Sequence, residues 1–158
     1  MLLRRCTLLL GLLAAAACAA GEPALLTGQT LYLPVYSHVY HGDPGKDGKP
    51  PQTLVSTHVS IRNTDPQSSI KLVSARYYDT LGKLVRSYVA APLTIPPLGT
   101  HEIFVPRTDT AGGSGANFLI AWTAEVPANP PIVEALHADI REARTLMFIT
   151  PGQPIRLR

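Results

Sequence analysis

Apolar and polar residues alternate along most of this chain with a period of two, the mark of β-strands that turn one face to a core. From Gln29, Leu31, Leu33, Val35 and Val39 fall on one side of such a strand, and Tyr32, Tyr36, His38 and Tyr40 on the other. Pro34 has no amide to donate, so the pattern predicts an edge strand or a local break there. The run from His41 to Pro51 holds turn-forming residues and almost nothing apolar, which predicts an exposed loop. Thr53 to Arg62 alternates again. Ser69 to Tyr78 reads as a strand whose phase slips between Leu72 and Val73, predicting a bulge or burial of both faces. Asp79-Thr-Leu-Gly82 has the residue order of a type I turn and joins that strand to Lys83–Ala90 as a hairpin.

Pro92, Pro96 and Pro97 interrupt the next segment, and His101–Val105 follows as a short strand. After the cluster Gly112-Gly-Ser-Gly-Ala116, the segment Asn117–Val126 is apolar on both faces and carries the single Trp, Trp122, as a central strand would. Residues 132–144 admit two readings. Ile132, Ala135, Leu136 and Ile140 fit helical spacing, whereas a strand to Ile140, a turn near Arg141-Glu142 and a last strand Thr145–Thr150 fit equally. The all-β surroundings favour the hairpin. Pro151-Gly-Gln-Pro154 is expected to end the ordered domain. Seven to eight short strands separated by turn signals predict an all-β fold, a single antiparallel β-sandwich of immunoglobulin-like architecture without the Cys-Trp-Cys hallmark.

The N-terminus departs from this pattern. Met1–Arg5 is short and basic, and Cys6–Ala17 is apolar apart from Thr7, the layout of a secretory signal too short to span a membrane. The expected division is a signal peptide over residues 1–20 with cleavage near Cys18, a linker over 21–28, the β-sandwich over 29–150 and a tail over 151–158. Cys18 is a candidate lipidation site. Ala15-Ala-Ala17 stands where a lipoprotein signal usually has Leu three positions before the Cys, so cleavage at Ala17-Cys18-Ala19 is the alternative. The placement is extracytoplasmic in both cases: periplasmic, or membrane-anchored through lipid alone. Arg4-Arg5 is a weak sign of twin-arginine export.

Export changes the remaining arithmetic. Cys6 and Cys18 are the chain's two cysteines, so the folded body carries no disulfide and depends on its core. Loss of Arg4 and Arg5 lowers the formal net charge from +3 to +1. So little charge gives no electrostatic reason to bind nucleic acid or an anionic membrane.

The candidate chemistry is sparse. Gly112-Gly-Ser-Gly-Ala116 resembles a nucleophile elbow only superficially: its fifth residue is Ala, and it leads into a strand where an elbow joins a strand to a helix. A bulge or tight crossing that needs positive φ explains it better. His38 and His58 lie on polar faces of early strands, and with His41 brought round at Gly42 they form a candidate copper or zinc site. The stripe Tyr32, Tyr36, His38, Tyr40 is a candidate surface for an envelope protein or a glycan, set against plain cross-strand packing. No cofactor is expected.

Leu33-Pro-Val-Tyr-Ser-His38, Arg62-Asn-Thr-Asp65, Arg76-Tyr-Tyr-Asp79 and Gly112-Gly-Ser-Gly-Ala-Asn-Phe118 together resemble a bacterial family of small exported proteins, often lipoproteins, catalogued only as a domain of unknown function. The resemblance runs over roughly residues 29–150 and implies an exported single-domain protein, with no activity to carry over. The leading expectation is a non-enzymatic binding module of the cell envelope. A periplasmic metal-binding protein is the alternative, and an enzyme of unrecognised type a lesser one.

Overall fold

A computed structural model describes residues 24–157, so the expected signal peptide over residues 1–20 and the candidate lipidation site Cys18 lie outside the described residues. Among the described residues there are twelve strands and no helix: β1 (Leu26–Pro34), β2 (His38–Tyr40), β3 (Gln52–Leu54), β4 (Ser56–Arg62), β5 (Ile70–Tyr78), β6 (Leu84–Ser87), β7 (Leu93–Ile95), β8 (Thr100–Val105), β9 (Asn117–Ala128), β10 (Ile132–Arg141), β11 (Arg144–Pro151) and β12 (Gln153–Ile155). They form two open antiparallel sheets and a ribbon. One sheet runs β12-β1-β9-β5-β6, with β7 also on β5; the other runs β11-β10-β4-β8; the ribbon is β2-β3.

Each sheet gives its apolar face to one core. Leu31, Leu33, Leu72, Tyr77, Phe118, Ile120 and Trp122 come from the first sheet, and Val59, Ile61, Ile103, Val105, Val133 and Ala135 from the second. Register makes these faces continuous. Leu33 pairs with Phe118 and Phe118 with Tyr77 across three strands, while Ala135, Val59 and Ile103 line up across the other sheet. Phe118 and Tyr77 stack at 4.9 Å. β9 lies between β1 and β5, the central place its two-faced apolarity predicts.

Three expectations need correction. The strand count is twelve because β2, β3, β7 and β12 have three residues each, too few to show a period. The single early strand is two, β1 and β2. Beyond Pro34 the Val35 amide bonds Ala116 and the Ser37 amide bonds Gly113, so the chain leaves the β9 ladder and crosses to pair with β3. The tail from residue 151 is partly ordered: Gly152 donates to the Val133 carbonyl at 2.8 Å, and β12 then pairs with β1 from Thr30↔Ile155 to Tyr32↔Gln153.

Elsewhere the pattern and the fold agree. The ladder between β5 and β9 shifts register between Leu72 and Ser74, where the phase slips. Residues 132–144 are no helix but the first strand and turn of the hairpin of β10 and β11, paired from Glu134↔Pro151 to Arg141↔Arg144. The glycine cluster is a structural crossing. Gly113 has φ 76°, and a side chain on Gly112 would collide with the Tyr77 hydroxyl. Thr80 at the β5–β6 turn bonds the Gly112 carbonyl and the Gly115 amide through its hydroxyl, each at 3.0 Å.

Candidate functional site

The tyrosines of the predicted stripe do not share a surface. Tyr32 stays on β1, opposite Leu119 and Gln153, and is partly exposed. Tyr36 lies in the connection between β1 and β2. Its amide donates to His137 Nε2 at 3.2 Å, and its ring meets His137 and Phe148 edge-on at 5.5 and 5.6 Å. Tyr40 is exposed on the ribbon, with the His38 ring against it at 4.9 Å. The turn beyond Pro34 separates what an unbroken strand would align.

The histidines are likewise kept apart. His38 sits on β2 opposite Leu54. His41 Nε2 lies 3.1 Å from the Thr53 hydroxyl. His58 is in the four-stranded sheet between Leu136 and Phe104, its Nε2 3.2 Å from Glu102. Among the described residues no three His, Cys, Asp or Glu side chains gather as a ligand set, so His38, His41 and His58 do not assemble the expected metal site.

Two features that the pattern did not single out are better built. The first is the outer face of the four-stranded sheet. Inner positions of β10 and β4 (Val133, Ala135, Val59, Ile61) are buried, so their neighbours point outward. Outward rows follow from register: Phe104, His58, Leu136 and Ile149 across all four strands, then Ala138 beside Met147, then Ile140 beside Thr145. Phe104 is 60% exposed, Ile140 69%, Met147 50% and Ile149 59%. Towards the other end the same face turns polar, with Glu134 3.3 Å from Arg62. The signal in the sequence was apolarity on both faces of residues 132–149, more than one core consumes.

The second feature lies at the end of this sheet. Asp139, on the inner side of β10, has a side chain only 2% exposed, and three arginines surround it. Arg141 Nε donates to both its oxygens at 3.0 and 3.1 Å, Arg144 Nη2 donates to Oδ2 at 2.9 Å, and Arg107 Nη1 stands 3.9 Å from Oδ1. The Arg141 bond and, after it, the Arg144 bond hold the Asp139 carboxyl below its usual pKa against the opposing effect of burial.

A different polar knot closes the opposite end. Asn63 donates to the carbonyls of Ser68, Ile95 and Pro96, and Asp65 accepts from the Asn129, Gln67 and Ser68 amides, which lower its pKa. Every partner is backbone, in a loop or, for Ile95, at the end of β7, so this knot is structural.

Fold and surface together define an all-β domain that shows solvent an apolar sheet face and an arginine-lined cleft. The chain belongs to the family described as "Protein of unknown function (DUF3124)", which it matches over residues 28–155. No curated protein matches it. A solved structure, "Crystal Structure of Thermotoga maritima 1070", is similar at 12% identity and a TM-score of 0.43, over 79% of this chain and 92% of that one, too distant to argue from.

Proposed function

We propose that this chain is an exported, non-enzymatic binding module of the cell envelope, an immunoglobulin-like sandwich that docks a partner protein on the outer face of its four-stranded sheet. The observation that carries the reading is the alignment of Phe104, Leu136, Ile140, Met147 and Ile149 on that one face. Apolar area of this kind, rimmed by charge, is costly to leave wet and characteristic of interaction surfaces. The basic and apolar run of residues 1–17 supports export, and Cys18 supports attachment by lipid. The four-stranded sheet thus replaces the tyrosine stripe as the proposed binding surface.

A photo-crosslinking residue placed at Ile149 is expected to capture a defined envelope protein in cells, and one placed at Tyr32 is not. Met147→Lys should abolish the Ile149 cross-link while leaving the domain folded. Equal capture from both positions, or capture indifferent to Met147→Lys, overturns the assignment. The mass of the mature protein decides separately between an acylated Cys18 and simple cleavage.

A further inference from the structure

The arginines around Asp139 exceed what one carboxylate requires. β10 overhangs β4: the last pair is Ala138↔Ser56, and Asp139, Ile140 and Arg141 continue past it. β8 ends at Val105, with Arg107 two residues beyond. Between these ends opens a cleft of about 500 Å³ lined by Phe104, Arg107, Asp139, Ile140 and Arg141. Asp139 accepts three hydrogen bonds, two from Arg141 Nε and one from Arg144. Each guanidinium carries five N–H donors, so most of this set is unspent. The side chains of Arg107, Arg141 and Arg144 are 47%, 52% and 51% exposed, so those donors reach solvent.

Charge decides what such a cleft suits. Three guanidinium groups about one carboxylate leave two positive charges in excess; Glu142, in the exposed turn between Arg141 and Arg144, forms no ion pair with them among the described residues. Holding three like charges together for Asp139 alone costs repulsion that a single arginine would avoid. Guanidinium forks match phosphoryl oxygens in spacing and bind them with charge-assisted hydrogen bonds. Beside them, Phe104 and Ile140 offer apolar surface to whatever the phosphoryl group is attached to.

We propose that this cleft binds a phosphate monoester, with the dianionic phosphoryl group on Arg107 and Arg141 and the organic part against Phe104. Asp139 is a positioning residue that fixes Arg141 and Arg144. The cleft shares Phe104 and Ile140 with the docking face but requires no partner protein, and Arg107, which the docking reading does not use, separates the two in the test.

The test is calorimetry of the folded domain at constant ionic strength with phenyl phosphate, inorganic phosphate and benzoate. Phenyl phosphate is expected to bind at least about tenfold more tightly than either of the others, as extra charge-assisted bonds and ring contact require. Among the described residues the Arg107 side chain makes no hydrogen bond and stands 3.9 Å from Asp139, so Arg107→Gln should keep the melting temperature and weaken phenyl phosphate by roughly ten- to a hundredfold. Phe104→Ala should erase the advantage of phenyl phosphate over inorganic phosphate. The absence of saturable heat up to roughly 10 mM phenyl phosphate overturns the site. So does undiminished binding to Arg107→Gln, and benzoate binding as tightly as phenyl phosphate overturns the preference for phosphate. Inorganic phosphate binding as tightly as the ester overturns the role of Phe104.

Discussion

His137 spends its Nε2 lone pair on the Tyr36 amide and stacks on Phe148 at 4.5 Å, fully buried. Protonation would take away that acceptor and bury a charge, and burial lowers its pKa from 6.5 to about 4. The folded-state value is the lower one, so between pH 6.5 and about 4 the unfolded chain binds a proton that the folded chain does not. Stability is therefore full above that window and falls as pH drops through it, by about 3 kcal/mol in all. Asp65 and Asp139, also lowered, add their losses only below the usual carboxylate range. Urea midpoints at pH 7.5 and pH 4.5 should show the fall, and His137→Phe should flatten it. At the glycine crossing, Gly112→Ala drives a methyl into the Tyr77 hydroxyl and to 2.7 Å from Ala116 Cβ. The expected cost is about 2–4 kcal/mol by denaturation. Gly48→Ala, at φ +73° in open space, should cost about 1 kcal/mol.

At the level of elements, what could be read depended on length and on local chemistry. β5, β9 and β10 are long enough for their alternation to show, and the slip at Leu72–Val73 is visible because one residue of bulge inverts every later side chain. β12 could not be read: it has three residues, includes Pro154, and exists only because the chain doubles back at Gly152 onto β1. The tyrosine stripe was misleading for a related reason. Pro34 announced a break, but the direction taken afterwards depends on the Ala116 and Gly113 carbonyls, eighty residues away in sequence or nearly so. The arginine cleft was hidden similarly, since Arg107 meets Asp139 only through the packing of β8 and β10 against β4. Truncation after Pro151 removes β12 and bares the edge of β1. Its expected effect is a loss of about 1–3 kcal/mol, read as a lower urea midpoint with the slope little changed.

The whole molecule has apolar surface on both faces of one sheet, and the two faces answer to different demands. Val59, Ile61, Ile103, Val133 and Ala135 are buried by the opposing sheet, and replacing any of them with Lys leaves a charge without solvent. Met147 and Ile149 stand on the other face, where nothing among the described residues covers them. Lysine there keeps its charge in water and lays its stem along the sheet, so folding loses little. Among the described residues β11 is also an edge strand, paired only with β10, and an apolar edge invites contact between copies when the partner is absent. The domain carrying Met147→Lys and Ile149→Lys should therefore keep its urea midpoint to within about 0.5 kcal/mol of the parent. In sedimentation velocity the parent should associate increasingly with concentration and with sulfate, which strengthens apolar contacts, while the double variant stays monomeric. A variant that unfolds would show instead that this face supports the fold. A parent that stays monomeric throughout would show that its apolar area is too small to drive association.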